Sequence, residues 1–458
     1  MTLIASVSGI RGTIGGHPGT NLTPSDIVSF VNAYAALLIE QGHGRKVVVG
    51  RDARISGDML NRLVCGTLMA CGMDVLDLGL TTTPTLEMQV PRVGAAGGIV
   101  LTASHNPEEW NALKLLDHQG CFIGSDQGET LLKKVQSGKF FSFATVHQLG
   151  KYEQVESALE AHIQDILALP LVNRQAIAAA GLHVVVDGIN STGALAVPTL
   201  LAHLGVSHVH VLNDQPHGHF AHNPEPLREH LDEICSEVVA RKAHLGIVVD
   251  PDVDRLAFVM EDGELFGEEY TLVAVADYVM RHQPGPAVSN LSSSRALRDV
   301  CNRYQQPYHA SPVGEVHVVK AMREFGAVIG GEGNGGIIVP ELHYGRDALV
   351  GIALFLTHYV VQGLSMSQLK AIYPSYFMVK EKVTFDPSAN PELLLQRLAE
   401  AFPNATHHWS DGLKIDLDEG WLHVRKSNTE PILRIYSEAG HANAATELAA
   451  KARQILAS

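Results

Sequence analysis

The sequence predicts an α/β protein in which three similar domains, each built on a mixed α/β sheet, precede a smaller α+β domain. Two observations support this fold class: a strand–helix–strand pattern occurs three times, and the residue pattern changes after about residue 371. The length of 458 residues agrees, since a chain of that size divides into roughly three domains or more.

The three repeats have the same internal order. The first runs from Lys46 to Gly79 and the second from Leu182 to Leu212, and each passes from a β-branched strand through a polar turn and an apolar helix to a second strand. A weaker third copy extends from Ala287 to Tyr308. Units of this kind form parallel sheets with right-handed crossovers, so each repeat predicts one α/β domain.

Two further regions complete the predicted domains. In the first domain, Thr23–Asp26 supplies a capping hydroxyl, a proline and an acidic residue before an apolar helix that extends to Ile39. The C-terminal region predicts strands at Phe377–Phe385, Gly412–Val424 and Ile432–Ser437, and helices at Pro391–Phe402 and Ala444–Leu456. The predicted domains are residues 1–150, 151–255, 256–370 and 371–458.

Charge and hydropathy exclude several classes of protein. The net charge of −15 argues against a nucleic-acid partner, because that binding needs concentrated Lys and Arg. The longest apolar stretch, Gly351–Leu364, is interrupted by polar residues and is shorter than the roughly 20 residues that cross a bilayer. The first residues resemble no secretory signal. We therefore expect no membrane partner and a cytoplasmic location.

The cysteines indicate a reducing compartment. Their positions are scattered, and no two have the Cys-x-x-Cys spacing of a zinc or redox site: Cys65, Cys71, Cys121, Cys235 and Cys301. We expect them to be small buried core residues.

A serine follows the last apolar strand of the first domain. Thr102–Pro107 comes directly after Gly97–Leu101, so a buried strand delivers Ser104 to a loop at its carboxyl end, where ligands bind in α/β sheets. A serine hydroxyl can act as a nucleophile or carry a phosphate if a base or a metal activates it. A serine beside Asn-Pro is also an ordinary turn residue, and the neighbouring motifs must decide between these readings.

Three carboxylates follow the apolar strand Leu245–Val249. Asp250, Asp252 and Asp254 stand at alternate positions and are followed by Arg255. This concentration of charge suits a hard cation, and Mg²⁺ is favoured because it binds few carboxylates together with phosphate oxygens. A calcium loop is excluded, since the sixth position is Arg255 instead of glycine and a strand precedes the motif. A solvated acidic turn remains the alternative.

Two further motifs fit a phosphorylated sugar. Gly330–Gly336 contains five glycines around Glu332 and Asn334, so its backbone can approach a ligand while these side chains bind hydroxyls. A tight connection without a ligand is the alternative. Arg425–Pro431, followed by Arg434, groups guanidinium and hydroxyl groups that suit a phosphate. A plain surface loop is the alternative there.

The order of these motifs resembles that of the α-D-phosphohexomutase superfamily, and the resemblance covers essentially the whole chain. The matching segments are Ser8–Gly12, Thr102–Pro107, Asp250–Arg255, Gly330–Gly336 and Arg425–Pro431. The resemblance implies a four-domain architecture around a central cleft. It also implies an enzyme that moves phosphate between the 6- and 1-positions of a hexose through a phosphoserine and a hexose 1,6-bisphosphate.

The resemblance also assigns roles to individual residues. It implies that Ser104 is the phosphoserine and that its phosphate, with Asp250, Asp252 and Asp254, holds Mg²⁺. Other residues implied in catalysis are Arg11, His105, Lys114 and Arg255, with Arg11 and Lys114 assisting proton transfer. Residues implied in substrate binding are Glu332, Asn334, Arg425, Ser427, Asn428, Thr429 and Arg434. The expected partner is a hexose phosphate, and both a monomer and a homodimer are consistent with the sequence.

The choice of sugar rests on the glycine-rich segment. Gly331–Gly336 reads Gly-Glu-Gly-Asn-Gly-Gly, and with His343–Ala348 it resembles bacterial phosphoglucosamine mutases. A phosphomannomutase or phosphoglucomutase is the alternative. A metal-dependent phosphatase has no need of a second phosphate-binding loop, and a catalytically silent sugar-phosphate binder has no need of Ser104 and Lys114. Both are therefore less favoured.

Overall fold

Two units divide the chain, Met1–Thr271 with Asn334–Ser367 and Leu272–Gly333 with Gln368–Ser458. The computed structural model describes residues 2–6, 9–138, 143–384, 390–426 and 432–457. Among the helices in these ranges, none combines the length and the apolar character needed to cross a membrane.

The first unit begins with a seven-stranded mixed sheet. Its strands are β1 Ile4–Ser6, β2 Gly9–Thr13, β3 Lys46–Arg51, β4 Asp74–Leu80, β5 Gly97–Leu101, β6 Trp110–Leu116 and β7 Tyr152–Gln154. Its helices are α1 Pro24–Gln41, α2 Gly57–Ala70, α3 Thr83–Arg92 and α4 Ser125–Ser137. The strand order is β1-β2-β6-β5-β3-β4-β7. The central strands β5, β3 and β4 run parallel, as the first repeat predicts, whereas β6 is antiparallel to β5.

Helix α1 shows how local sequence sets the boundaries of an element. Asp26 accepts a hydrogen bond from the backbone N–H of Thr23 at 3.1 Å, which closes a capping box, and Pro24 occupies the first turn. Such a cap is worth about 1 kcal/mol. Gly42 ends the helix in the left-handed conformation with φ of 75°, which glycine adopts without strain. Between these ends the helix packs an apolar face, including Ile27 and Tyr34, into the core beside the sheet.

The second sheet of the same unit has four strands. The elements are α5 Ala158–Ala168, α6 Arg174–Ala179, β8 His183–Asp187, α7 Gly193–Leu204, β9 His208–Leu212, α8 Asp232–Ala240, β10 Leu245–Val249 and β11 Leu256–Met260. The order is β11-β10-β8-β9. Strands β10, β8 and β9 are parallel, and β11 is antiparallel to β10. The chain therefore reverses direction between β10 and β11, at the predicted metal-binding loop.

The next part of the chain contributes to both units. Its elements are α9 Glu268–His282, β12 Ala287–Asn290, α10 Ala296–Arg303, β13 Tyr308–Ser311, α11 Glu315–Phe325, β14 Ile329–Glu332, β15 Gly336–Ile338, α12 Ala348–Gln362 and α13 Met366–Ala371. In the second unit, β12 pairs in parallel with both β13 and β14. Strand β15 and helix α12 belong to the first unit.

The remainder of the second unit is an α+β module. Its elements are β16 Phe377–Thr384, α14 Pro391–Glu400, β17 Thr406–His408, β18 Leu413–Asp416, β19 Gly420–Lys426, β20 Ile432–Ala439 and α15 Ala442–Ala457. The antiparallel sheet has the order β16-β20-β19-β18-β17. Helices α14 and α15 bury apolar residues such as Leu398 and Ala452 with the strands. The other predicted elements of this region form within a few residues of their expected ends, and Phe385 lies outside the described residues. The single strand predicted at Gly412–Val424 is wrong, because the chain turns at residues 417–419 and forms the antiparallel pair β18 and β19.

Candidate active site

Strand β5 places Ser104 in a constrained loop. The residue follows the end of the strand by three positions and is 8% exposed. Its φ of 50° lies in the left-handed region, a conformation that costs an L-residue energy and occurs at functional sites. The backbone N–H of Ser104 donates to Thr102 Oγ1 at 2.9 Å, and the Thr102 hydroxyl donates to Asp52 Oδ2 at 2.7 Å. The surrounding structure therefore holds the strained conformation in place.

Arg54, a residue that the sequence analysis did not single out, holds this loop in place by hydrogen bonds. Its fully buried guanidinium group donates to four backbone carbonyls within Ser104–Trp110 at 2.5 to 2.9 Å. Its Nε donates to Asp52 Oδ2 at 3.1 Å, so the charge is also paired. The available signal was the Gly-Arg-Asp turn after the first β-branched strand, which places Asp52 and Arg54 at the carboxyl edge of the sheet.

The three aspartates converge on Ser104 from the turn between β10 and β11. All three are fully buried. Asp250 Oδ2 accepts a hydrogen bond from the Ser104 hydroxyl at 2.7 Å, although the two residues are 146 positions apart. Asp250 Oδ1 accepts the backbone N–H groups of Asp254 and Arg255, each at 3.1 Å. These bonds hold the turn in a shape that directs the carboxylates to one point.

The carboxylates fit a divalent cation. One oxygen atom from each of Asp250, Asp252 and Asp254 lies within 4.8 Å of the others. Asp252 Oδ1 and Asp254 Oδ1 are buried and find no hydrogen-bond partner among the described residues. An uncompensated buried carboxylate oxygen is costly, whereas a hard cation with oxygen ligands satisfies it. The donor set is therefore the kind that Mg²⁺ accepts.

Helix α3 and strand β6 supply the outer contacts of this turn. Thr83 Oγ1 donates to Asp252 Oδ2 at 2.6 Å, and the Thr83 backbone N–H donates to the Asp252 carbonyl at 2.9 Å. Lys114 Nζ donates to Asp252 Oδ2 at 2.7 Å and to Asp254 Oδ2 at 3.3 Å. Arg346, a residue that the sequence interpretation did not assign, donates to Asp254 Oδ2 at 2.7 Å. The sequence feature that pointed to Arg346 was the polar segment His343–Ala348, which leads into helix α12.

Four cations and the serine border one cavity in the first unit. The cavity measures about 90 Å³, and the residues around it include Arg11, Ser104, His105, Lys114, Arg255 and Arg346. Because the protein carries a net charge of −15, this grouping is the local positive region that a phosphate site in an acidic protein needs. The structure thus brings the five predicted catalytic residues together.

The buried charges perturb one another. Burial raises the pKa of Asp250 well above its usual value, and the negative charges of Asp254 and Asp252 raise it further. Burial also disfavours the charged form of Asp254, but Arg346 and Lys114 outweigh that effect and hold its pKa below the usual range. Perturbed pKa values of opposite sign in one cluster are typical of functional sites.

His105 lies at the rim of the cavity, with its side chain 29% exposed. Burial lowers the pKa of His105 well below its usual value, and the positive charge of Arg255 acts in the same direction. Its Nδ1 lies 3.5 Å from Ser104 Oγ. Burial likewise lowers the pKa of Arg11, with the charge of Arg255 as the second cause. A neutral imidazole beside the serine can accept or donate a hydrogen bond without adding charge.

Glu332 lies in the second unit at the end of β14. The side chain is 4% exposed, and its Oε1 accepts Asn290 Nδ2 at 2.9 Å and the backbone N–H of Gly314 at 3.0 Å. The sequence predicts that this carboxylate binds sugar hydroxyls, and that role stays a prediction. The structure also gives Oε1 a role in joining the ends of β12 and β14 to the turn before α11, a connection between distant segments that the sequence does not reveal.

Asn334 and the glycines after it have a packing role in the first unit. Asn334 Oδ1 accepts the backbone N–H of Gly336 at 3.2 Å. Gly335 has φ of 80°, and a Cβ atom there would lie 2.0 Å from the Leu256 carbonyl oxygen. At this position the glycine is therefore required by close packing against the start of β11, in addition to any approach of a ligand.

The predicted phosphate-binding segment lies partly outside the described residues. Ser427, Asn428 and Thr429 belong to that outside part. Arg425, at the end of β19, lies opposite Arg434 of β20 in the antiparallel ladder, and Arg425 Nη1 is 3.8 Å from Asp411 Oδ2. Its buried Nε has no hydrogen-bond partner among the described residues.

His423, two residues before Arg425, anchors the same strand. Its Nδ1 lies 2.8 Å from Ser292 Oγ, and its Nε2 lies 2.7 Å from the carbonyl oxygen of Asp411. A carbonyl can only accept, so Nε2 carries the proton and Nδ1 accepts the serine hydroxyl. Burial lowers the pKa of His423 to about 4. The neutral ring therefore links β19, two residues before Arg425, to Ser292 and to the carbonyl of Asp411.

Comparison with known families agrees with this architecture. Four domain models of phosphoglucomutase/phosphomannomutase match the chain in order. They are the alpha/beta/alpha domain I at residues 3–142, domain II at 160–263, domain III at 267–376 and the C-terminal domain at 382–455.

Individual relatives extend over nearly the whole chain. A probable phosphoglucosamine mutase of Methanopyrus kandleri is 35% identical over 446 residues, covering 96% of this chain and 95% of its own. A phosphoglucomutase/phosphomannomutase of Thermococcus kodakarensis is 35% identical over 435 residues, covering 93% and 94%. The crystal structure of a phosphoglucomutase/phosphomannomutase family protein from Burkholderia thailandensis matches with a TM-score of 0.85 at 26% identity, covering 99% and 96%.

Proposed function

This chain belongs to the phosphoglucomutase/phosphomannomutase family, and we propose that it interconverts glucosamine 6-phosphate and glucosamine 1-phosphate through a phosphorylated Ser104. The observation that carries the proposal is the 2.7 Å hydrogen bond from the Ser104 hydroxyl to Asp250, inside a buried cluster of three carboxylates bordered by cations. A structural serine has no need of that environment. A phosphoserine does, because phosphoryl transfer depends on positioning and on charge neutralisation.

In the first half-reaction, phospho-Ser104 gives its phosphoryl group to the free hydroxyl of the sugar. The bond between phosphorus and Ser104 Oγ breaks, a bond to the sugar oxygen forms, and the proton lost by the sugar hydroxyl ends on the departing serine oxygen. Lys114 and Arg11 border the cavity and stabilise the charge that moves with the phosphoryl oxygens. Asp250, Asp252 and Asp254 would hold Mg²⁺, which would supply further neutralising charge.

In the second half-reaction, the resulting hexose 1,6-bisphosphate returns its other phosphate to Ser104. Both half-reactions then use the same serine and the same cations, because the two ends of the sugar exchange places. The phosphate that is not transferred needs its own binding groups. We assign these to Arg425, Ser427, Asn428, Thr429 and Arg434, since arginine forks and hydroxyl groups match phosphate oxygens.

Two kinds of sugar phosphate are candidates for the substrate. Glucosamine phosphate is favoured by the similarity to the probable phosphoglucosamine mutase of Methanopyrus kandleri and by the glycine-rich segment around Glu332 and Asn334. The Thermococcus relative, at the same identity, favours mannose or glucose phosphates as the second candidate. In either case Glu332 and Asn334 are the proposed hydroxyl ligands, and the chemistry at Ser104 is the same.

A coupled mutase assay tests the proposal. It compares glucosamine 6-phosphate, mannose 1-phosphate and glucose 1-phosphate with Mg²⁺ and catalytic bisphosphate. We expect kcat/KM for glucosamine 6-phosphate to lead by tenfold or more, which is about 1.4 kcal/mol of transition-state discrimination. Ser104→Ala should lower kcat by about 10⁴-fold or more. The matched control is Ser236→Ala, an exposed serine of α8 whose hydroxyl donates only to the Asp232 carbonyl.

The outcomes separate the sugar from the mechanism. If kcat/KM is highest for mannose or glucose phosphate, the second candidate is the substrate and the role of Ser104 is unchanged. Full activity of Ser104→Ala on any of the three substrates would overturn the mechanism.

A further inference from the structure

We propose that His162, His343 and Asp347 form a second divalent-metal site in the first unit, suited to Zn²⁺ and separate from the aspartate cluster beside Ser104. One ligand atom from each of the three residues lies within 4.8 Å of the others. His162 and Asp347 are buried, and the His343 side chain is 13% exposed. The sequence alone does not reveal the cluster, because 185 positions separate His162 from Asp347.

The distances match the first coordination shell of zinc. Both imidazoles direct Nε2 to the same atom, Asp347 Oδ2, at 2.9 Å from His162 and 3.3 Å from His343. A tetrahedral Zn²⁺ with bonds of about 2.0–2.1 Å separates neighbouring ligands by about 3.4 Å. The two nitrogen–oxygen separations are therefore close to the edge length of such a tetrahedron, and the three ligand atoms all lie within 4.8 Å of one another. Asp347 offers one oxygen only, because its Oδ1 accepts the first N–H groups of helix α12.

Outer contacts lie beside both rings. His162 Nδ1 makes a hydrogen bond of 2.9 Å with Thr85 Oγ1, and His343 Nδ1 lies 3.5 Å from Glu87 Oε2, which is an ion-pair separation. Metal-ligating histidines almost always use the second ring nitrogen to bond an oxygen that fixes the ring, as His162 does here. Thr85 and Glu87 both belong to helix α3, so a single element supplies both outer contacts.

The charges around the cluster suit a divalent cation. A neutral His343 that binds a metal through Nε2 keeps its proton on Nδ1, the nitrogen that faces Glu87. Two neutral imidazoles and the carboxylates of Asp347 and Glu87 balance the charge of a divalent cation.

The amino acids at the site select the kind of metal. Imidazole nitrogens suit Zn²⁺ and its first-row neighbours, whereas Mg²⁺ prefers oxygen ligands, as in the aspartate cluster. Gly345 makes room for the outer carboxylate, because a Cβ there would lie 1.9 Å from Glu87 Oε2. The exposed edge of His343 gives an ion a path from solvent and leaves a position for water.

The position of the site implies a structural role for the metal. The residue before Asp347 is Arg346, which donates to Asp254, and helix α3 also carries Thr83, which donates to Asp252. A metal held between Asp347 and the rings that α3 orients therefore fixes both elements that contact the aspartate cluster. We expect Zn²⁺ to raise the midpoint of thermal unfolding by several degrees, since a ligand that binds only the folded state stabilises it.

Metal titration of the full chain tests the proposal. The protein is stripped with a chelator, supplied with excess Mg²⁺ to occupy the aspartate cluster, and titrated with Zn²⁺ against a chromophoric chelator. We expect one equivalent of Zn²⁺ per chain. Co²⁺ should give the visible absorption bands of a low-coordinate nitrogen and oxygen site, which report the ligands without any assay of activity.

Variants locate the metal. His343→Gln should weaken Zn²⁺ binding by more than about 100-fold, and Glu87→Gln by about 10–100-fold with the Co²⁺ bands retained, because loss of an outer partner costs that much. Asp250→Asn should retain both zinc and the Co²⁺ bands. The control is His210→Gln, which alters a histidine with a side chain 40% exposed. Far-UV circular dichroism verifies that each variant is folded.

Two results would overturn the proposal. One is the absence of stoichiometric Zn²⁺ on wild-type protein in excess Mg²⁺. The other is zinc binding that Asp250→Asn abolishes while His343→Gln and Glu87→Gln leave it unchanged, which would place the ion at the aspartate cluster.

Discussion

Replacement of Arg54 by lysine tests how the serine loop is held. The buried guanidinium group of Arg54 donates five hydrogen bonds, four to carbonyls within Ser104–Trp110 and one to Asp52. A lysine ammonium has three donors, so Arg54→Lys leaves at least two of these acceptors unsatisfied. A hydrogen bond to a charged group is worth about 1.5–3 kcal/mol. The expected loss in the free energy of unfolding is therefore about 3–6 kcal/mol.

Arg62 provides a matched control for this substitution. It lies on the neighbouring helix α2 and also pairs with an aspartate, Asp58, at 2.9 Å, but the two side chains are 78% and 61% exposed. Water and salt screen an exposed ion pair, so its contribution to stability is small. Arg62→Lys should therefore leave the thermal midpoint close to that of wild type.

Thermal unfolding and steady-state kinetics read out the two variants. For a domain of this size each kcal/mol shifts the midpoint by about 2–4 °C, so Arg54→Lys should lower it by about 6–24 °C. Because the substitution loosens the loop that carries Ser104, kcat should fall by at least about tenfold at temperatures where the variant is folded. An Arg54→Lys protein that matches Arg62→Lys in both measurements would refute this reasoning.

Two other predictions concern charge in the two units. The folded-state pKa of His423, about 4, lies below the usual value of about 6.5, so the contribution of His423 to stability is complete above about pH 6.5. It should be lost as the pH falls toward 4, by up to roughly 3 kcal/mol, and urea titrations of His423→Gln should lack that slope. The second prediction concerns Asp252→Asn, which should raise the Mg²⁺ concentration needed for half-maximal rate. Loss of an outer partner of a metal ligand costs roughly 10–100-fold, and the loss of a ligand should cost more than that. An unchanged Mg²⁺ dependence would remove Asp252 from the metal site.

Much of the fold was predictable because its signals are local. The β-branched strands after Lys46 and Leu182, and the capping residues before Ile27, each depend on a few adjacent residues, and the corresponding elements form where the sequence places them. The three boundaries between the four predicted domains stay a prediction.

The candidate site was predictable only in part. Ser104 and the aspartates stand out because each follows a buried strand, and the structure confirms that they meet. The clamp by Arg54 was not predictable, since its acceptors are carbonyl oxygens about 50 positions further along the chain. The bonds that Glu332 accepts from Asn290 Nδ2 and from the backbone N–H of Gly314 were missed because these donors lie 42 and 18 positions earlier in the chain. Backbone groups carry no signature in the side-chain sequence, and neither does a contact between such distant positions.

The most direct test of the central claim is a single-turnover transfer from phosphorylated protein. The chain, carrying labelled phosphate on Ser104, is mixed with an equimolar amount of glucosamine 6-phosphate and Mg²⁺, and peptides and small molecules are analysed by mass spectrometry. We predict that the label leaves the peptide containing Ser104 and appears in hexose bisphosphate and monophosphate. Label that is released as inorganic phosphate, or that remains on the peptide while substrate is converted, would contradict the account.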